Sequence, residues 1–330
     1  MNTTTLNHGV AQPRSAFVWQ CLARYGALMM LATLILAMSI LEPGTFATGN
    51  NVVNILNQSA LSAVIAMGLT FTLVTGEFDL SIGSTASLAG VVACTVIVKH
   101  DVSIPLAIAA GVAVGALIGL LNGLVVTVLG VNALVATLGV GTVAVGVNYA
   151  IAGGTPVTLS HPDAFLEISL GRFIGVPYPV YIMAGLALLA WLLLNRTVLG
   201  RSMQAAGGNA TAAGLSGIRV GRVRVVGFVI CGALAALTGV LLATRTGSAA
   251  VSAGDTYLLA AFAAAFFGSA VLRDGQFHIV GTVVGVVTVA VGFNAIALLG
   301  METYWQYLFQ GLVLIIGVGV GTVARRRAAK

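Results

Sequence analysis

Two short stretches of this 330-residue chain hold most of the residue types that could do chemistry. The first, Gly76-Glu77-Phe78-Asp79-Leu80-Ser81-Ile82-Gly83-Ser84, sets a carboxylate and a hydroxyl at the start of an apolar run. Asp79 or Ser81 there would either cap a following helix, by accepting from its free amides, or serve a gate or pathway. The second runs from Gly207 and Gly208 through Asn209, Ala212, Ala213, Ser216 and Gly217 to Ile218. Asn209 is a good N-cap and Gly217 a good helix stop. The two turns of small residues between them are too short to be stable alone, so this helix is expected to dock into something else.

The remaining polar groups in apolar surroundings are amides and hydroxyls: Asn122, Asn132, Asn148, Asn294, Gln306 and Gln310. An amide in hydrocarbon needs a partner, so these are expected to face the bundle interior or a wet pathway. Asn148, Asn294 and Gln306 are the candidates for solute contact, with Tyr304 and Trp305 as either contacts or interfacial anchors. None of the charge-free runs offers an ionisable group for a proton or cation relay. There is no G-x-x-x-x-G-K-[ST] phosphate loop, and the only lysines are Lys99 and Lys330. Cys21, Cys94 and Cys231 lie far apart without pairing or metal-ligand spacing. No catalytic residue, metal or cofactor is expected in the chain. Its net charge of +6 is dispersed between apolar runs with no aromatic–basic module, which argues against nucleic acid.

The elements that must position these residues follow from composition. Hydrophobic residues make up 58% of the chain and charged residues 7%, where a soluble domain carries about 25% charged. No Asp, Glu, Lys or Arg occurs from Val102 to Pro162, and a span needs about 20 apolar residues to cross about 30 Å of hydrocarbon. Breaking the runs at turns and charges predicts an all-α polytopic membrane protein of ten helices: 25–41, 57–75, 80–98, 104–129, 133–152, 178–194, 225–244, 257–272, 279–299 and 304–323. The first reads as an uncleaved span that also targets the chain.

Ten spans put both termini on one side. If that side is the cytoplasm, Arg14, Arg24, Arg196, Arg201, Arg219, Arg222, Arg224, Arg273, Arg325, Arg326, Arg327 and Lys330 lie inside, against Lys99, Arg172 and Arg245 outside. That bias matches the accumulation of basic residues in cytoplasmic loops. The expected organisation is a cytoplasmic segment 1–24, a membrane domain 25–324 with an inside loop 195–224 and an outside loop 153–177, and a basic tail 325–330. A short amphipathic piece in the outside loop, 163–170, would lie on the membrane or meet an external partner. Within the fourth span Gly111, Gly115, Gly119 and Gly123 recur every four residues, and Gly281 and Gly285 repeat the pattern in the ninth. Such stripes let helix backbones approach closely in lipid.

At Gly207, Asn209, Ala212, Ala213, Ser216, Gly217 and Ile218 the chain resembles the permeases of ribose-type ATP-binding cassette sugar importers, whose G-x-N-x-x-A-A-x-x-S-G-I segment forms a coupling helix. Gly76–Ser84 looks like the same family's G-x-x-D-L-S-x-G-S segment, placed by this topology near the inner face. The resemblance continues through Phe46-Ala47-Thr48-Gly49-Asn50-Asn51 and Ile279-Val280-Gly281-Thr282. It departs at Phe267, Ser269 and Ala270, where the family commonly has a Gly-Gly-Thr-Ser run. It implies an inner-membrane permease, acting as a homodimer with separate ATP-binding subunits and a periplasmic sugar-binding protein, that moves a small sugar or polyol. The related branched-chain amino-acid permeases share the broad architecture, and a facilitator working alone is the alternative of a different class.

Overall fold

The computed structural model describes residues 14–269 and 275–328. In hydrocarbon a lone segment satisfies its backbone polar groups only as a helix, and helices dominate: α1 (Arg14–Leu41), α2 (Gly49–Val74), α3 (Ile82–His100), α4 (Ile104–Thr127), α5 (Ala133–Ala152), α6 (Asp163–Leu170), α7 (Tyr178–Arg196), α8 (Val198–Gly208), α9 (Ala210–Leu215), α10 (Val220–Thr246), α11 (Asp255–Ser269), α12 (Ile279–Leu298) and α13 (Tyr304–Ala328). Two-residue strands form two antiparallel pairs, β1 (Val157–Thr158) with β4 (Ser248–Ala249), and β2 (Arg172–Phe173) with β3 (Val176–Pro177).

Among the described residues, each segment expected to span coincides with one of these helices apart from one or two residues at an end. Seven of them, α2, α3, α4, α5, α7, α10 and α12, are long and apolar enough to cross a membrane, whereas Leu28–Leu41, α11 and Tyr304–Ile316 are shorter apolar stretches. Leu117, Leu121, Leu188 and Leu189 stand more than half exposed on α4 and α7, as side chains do whose solvent is lipid. The chain is an all-α polytopic membrane protein. The start of the expected N-terminal segment, the end of the 257–272 run and the last two residues of the basic tail lie outside the described residues.

The four-residue glycine stripe of α4 lies against α3 and α10. A Cβ on Gly111 would come within 2.9 Å of the Ala89 carbonyl and one on Gly123 within 2.8 Å of the Val225 Cα, while Gly115 and Gly119 sit directly on the carbonyls of Gly232 and Phe228. Gly281 and Gly285 of α12 meet α11 in the same way, at Gly268 and Ala264. Because the obstructing atoms are backbone, Gly119→Leu cannot be absorbed by a rotamer change. It is expected to cost at least the 1–3 kcal/mol or so of an overpacked core and to abolish the monodisperse peak in detergent size-exclusion chromatography. Gly139→Leu, whose Cβ meets nothing within 4 Å, should leave that peak intact.

α2 and α10 form an antiparallel central pair. Thr238 Oγ1 donates to the Leu61 carbonyl at 3.5 Å, Gly68 packs on Cys231, and Gly227 packs on the Phe71 carbonyl. Around this pair the molecule repeats itself. α10 packs on α3 and α4 as α2 packs on α11 and α12, and α3 packs on α4 and α5 as α11 packs on α12 and α13. α2 and α10 each run into a non-helical break that opens on a glycine of positive φ, Gly76 at 84° and Gly247 at 69°. The breaks carry matching residues at matching spacing: Thr75, Gly76, Ser81, Gly83 and Thr85 against Thr246, Gly247, Ser252, Gly254 and Thr256. Where the halves cross, Gly254 seats on the Gly83 carbonyl and its amide donates to Ser87 Oγ at 2.9 Å. With α2 and α10 antiparallel and each followed by a break, the two halves form an inverted repeat that crosses at its breaks.

The expected amphipathic piece 163–170 is α6. One face docks into the bundle, with Phe165 fully buried and Ser169 Oγ donating to the Leu241 carbonyl at 3.0 Å. Asp163 and Glu167 stay exposed on the other face.

Candidate functional site

The first break is built by a helix stop. The Gly76 amide donates to the Leu73 carbonyl at 3.1 Å and the Glu77 amide to the Thr72 carbonyl at 3.0 Å, a glycine-dependent closure that turns the chain back across the end of α2. The polar run that follows therefore enters the bundle instead of leaving it. Asp79 is 1% exposed. Its Oδ1 accepts from the Ser81 amide at 2.9 Å, from Ser81 Oγ at 2.6 Å and from Asn122 Nδ2 at 3.4 Å, and Asn122 Nδ2 also donates to Ser81 Oγ at 2.8 Å. The Leu80 amide donates to Thr137 Oγ1 at 3.0 Å. Side chains of α4 and α5 thus hold the break from outside it.

One sequence expectation is corrected here. Ser81 occupies the N-cap position of α3 but makes no side-chain cap bond, and Asp79 closes on the break itself rather than on the amides of α3. The run also reaches along α10. Glu77 pairs with Arg224 at 3.0 Å in the first turns of α10, yet Asp79 lies against Cys231, about two turns further along that helix. Burial pushes the Glu77 carboxyl above its ordinary range and the Arg224 guanidinium opposes the shift.

The other amides divide by role. Asn148 Nδ2 of α5 donates to the Val251 carbonyl at 2.9 Å, bracing the second break much as Asn122 braces the first. Asn294 and Asn51 exchange amide bonds at 2.8 and 3.0 Å, and Asn51 also donates to the Phe46 carbonyl. Among the described residues Gln306, at the start of α13, joins neither break. Asn132 accepts from the Leu134 amide at 2.9 Å as the N-cap of α5.

The inside loop holds two helices where sequence reading expected one. α8 is capped by Thr197, whose Oγ1 accepts from the Gly200 amide at 3.0 Å, and Gln204 Nε2 ties it to the Leu194 carbonyl at 2.8 Å. α9 is capped by Asn209, whose Oδ1 accepts from the Ala212 amide at 3.0 Å. It stops at Gly217, with φ 84° and the Ile218 amide closing on the Ala213 carbonyl at 3.0 Å. Ala213 is the buried residue of α9, and Ile218 packs into the cluster shared by α2, α7, α8 and α10. Gly208, Asn209, Ala212, Ser216 and Gly217 are exposed, and Leu215 is 88% exposed.

Gly207 is placed differently from its neighbours. Its Cα side faces the Val74 carbonyl so closely that a Cβ would overlap it, and that Cβ would stand 3.2 Å from the Gly76 amide nitrogen. A cavity of about 570 Å³ opens beside this contact, lined by Leu73, Gly76, Gln204, Gly208, Gln276 and Phe277. The end of α8 is therefore in backbone contact with the start of the break that carries Asp79. Sequence reading missed this contact and the pairing of the two breaks. The second had a signal, the repeated Thr-Gly followed by Ser-x-Gly-x-Thr.

The permease component of branched-chain amino acid transport systems is the family whose model matches this chain, over residues 51–318. The chain is 38% identical to the ribose import permease protein of Escherichia coli strain K12 over 308 residues, 92% of this chain and 95% of the relative. It is 39% identical to the ribose import permease protein of Bacillus subtilis strain 168, over 89% and 91% of the two chains. With the L-arabinose transport system permease protein of Escherichia coli strain K12 it shares 34% identity over 94% of each. No solved structure matches it. A family match across most of the chain and near-full-length similarity to import permeases agree with a multi-pass fold whose two halves cross at broken helices, and the chain belongs to this family of transport-system permease components.

Proposed function

We propose that the chain is the membrane-spanning subunit of an ATP-driven importer for a small sugar or polyol. In this reading it crosses the inner membrane ten times with both termini in the cytoplasm. It pairs with a second copy, receives solute from a periplasmic binding protein, and leaves ATP hydrolysis to a separate subunit docked on α9. The observation that carries the reading is near-full-length similarity to permeases of ribose and arabinose import. The exposed, independently capped α9 supports the docking site. Two spatial pairings support the topology: Gly76 with Gly207, and β1 with β4, each join segments that ten spans would put on one side.

The ATP-binding subunit would close on nucleotide, move α9 and with it α8, and Gly207 would carry the motion into the first break. The two halves would then exchange inward and outward openings as rigid bodies biased by a partner. A branched-chain amino acid as cargo is the second reading, resting on the description of the matching family model.

Ala212→Arg should abolish uptake and its coupling to ATPase activity while leaving the permease folded in the membrane, because Ala212 is exposed and its charge would meet only the docked partner. Normal uptake by this variant would refute docking on α9. The test of the whole reading is co-purification of the tagged chain with the products of neighbouring genes. Recovery of an ATP-binding subunit that is lost when residues 209–216 are scrambled is the expected result. A chain that purifies alone and moves solute without ATP would overturn it.

A further inference from the structure

The outer half of α2 carries a polar stripe that neither break uses. Asn54, Gln58 and Ser62 recur every four residues and so share one face, and Gln58 Nε2 donates to Asn54 Oδ1 at 3.3 Å. Asn54 and Gln58 are exposed and Ser62 is partly so, although Ser62 lies mid-helix, next to the Leu61 that bonds Thr238 in the central pair. Polar side chains left against lipid from Gln58 to the mid-helix Ser62 would be costly, whereas the lipid-facing sides of α4 and α7 carry leucine. Gln58 and Ser62 line a notch of about 40 Å³ with Ala260 of α11 and Val289 and Phe293 of α12. Thr256, one turn before Ala260 and on its face, is exposed at the second break.

We propose that Asn54, Gln58 and Ser62, with the Phe293 ring beside them, form one wall of a water-filled path that takes a polyhydroxylated, uncharged solute, the opposite wall coming from a second copy of the chain. This rests on the importer reading and gives its solute a place in the fold. Uncharged amides and a hydroxyl exchange hydrogen bonds with sugar hydroxyls without a net charge to hold the solute, and an aromatic ring covers the apolar face of a sugar. A notch this small holds no sugar by itself, since small-molecule sites are typically about 300–1,000 Å³. The wall therefore needs its facing copy.

The experiment starts from the complex that co-purification with its ATP-binding subunit would yield, in nanodiscs, so that failure of the importer reading would be seen before it begins. A membrane-impermeant maleimide should label Ser62→Cys at least about tenfold faster than Leu121→Cys on the lipid face of α4, with the parent chain as blank. Ribose or arabinose at millimolar concentration, whichever the complex transports, should slow that labelling. Gln58→Leu should lower uptake by about fivefold, the order of one lost hydrogen bond, with unchanged recovery of the ATP-binding subunit. Labelling of Ser62→Cys no faster than Leu121→Cys would place the stripe against lipid and overturn the proposal. Spontaneous Ser62→Cys cross-linking between copies without maleimide access would make it a dry interface and overturn it as well. Labelling unaffected by sugar, or full uptake by Gln58→Leu, would remove the solute from this wall.

Discussion

Gly207→Ala should lower uptake per ATP hydrolysed by about tenfold or more, while Gly208→Ala stays within about a factor of two of the parent. The two glycines are adjacent and both exposed, so composition and helix propensity do not separate them. Space does: a Cβ on Gly208 meets nothing within 4 Å, whereas one on Gly207 would overlap the Val74 carbonyl. Both sides of that contact are backbone, so either α8 or the first break must shift. An overpacked contact of this kind costs about 1–3 kcal/mol, and about 1.4 kcal/mol is a tenfold change in an equilibrium. If the contact transmits motion from α9 to the break, the loss falls on the ratio of solute moved to ATP hydrolysed. A purely structural role would lower the yield of folded complex and leave that ratio alone. Equal behaviour of the two alanine variants would refute transmission through Gly207.

Asp79 supplies the second large effect, and its substitutions separate a pin from an ion relay. Asp79→Leu removes the acceptor for the Ser81 amide, Ser81 Oγ and Asn122 Nδ2 inside the bundle. Each buried donor left without a partner costs about 1–3 kcal/mol, enough to lower the melting temperature of the detergent-solubilised permease and abolish uptake. Asp79→Asn keeps an oxygen at the acceptor position and should retain at least about half of the uptake. If the carboxylate instead carried a proton or cation with the solute, Asp79→Asn would be as inactive as Asp79→Leu, and uptake by the parent would follow an imposed ion gradient. The contrast matters because Asp79 is an ionisable group in the interior of a chain whose spans otherwise offer amides and hydroxyls.

Much of this architecture was legible in the sequence because long charge-free runs leave a backbone in lipid one solution, and each predicted spanning segment coincides with a helix over most of its described residues. Their ends were read less well. α2 begins at Gly49 rather than at 57, since Thr48 accepts from the Asn51 amide and a polar first turn resembles a loop. That shortened reading also hid the Asn54–Gln58–Ser62 stripe, which lies across the assumed boundary. α8 was missed because Gly200, Gly207 and Gly208 in so short a segment resemble a loop, although its buried Gly200, Met203 and Ala206 keep a helical spacing. The burial of Asp79 was not legible because an acidic residue after a span normally marks the membrane surface. Here the Gly76 turn folds it back among the helices, where Asn122, distant in sequence, meets it and Thr137 meets the neighbouring Leu80 amide. Asn209 and Gly217 needed no tertiary information, since a cap and a stop are local chemistry, and both act as their residue types suggest.

The most direct test of the central claim is uptake into proteoliposomes holding this chain, its co-purified ATP-binding subunit and the binding protein, with labelled ribose, arabinose and leucine offered in turn. The account predicts accumulation of a sugar that requires ATP on the cytoplasmic face and the binding protein on the other, with leucine excluded. Accumulation of leucine, or sugar entry that proceeds without ATP, would contradict it.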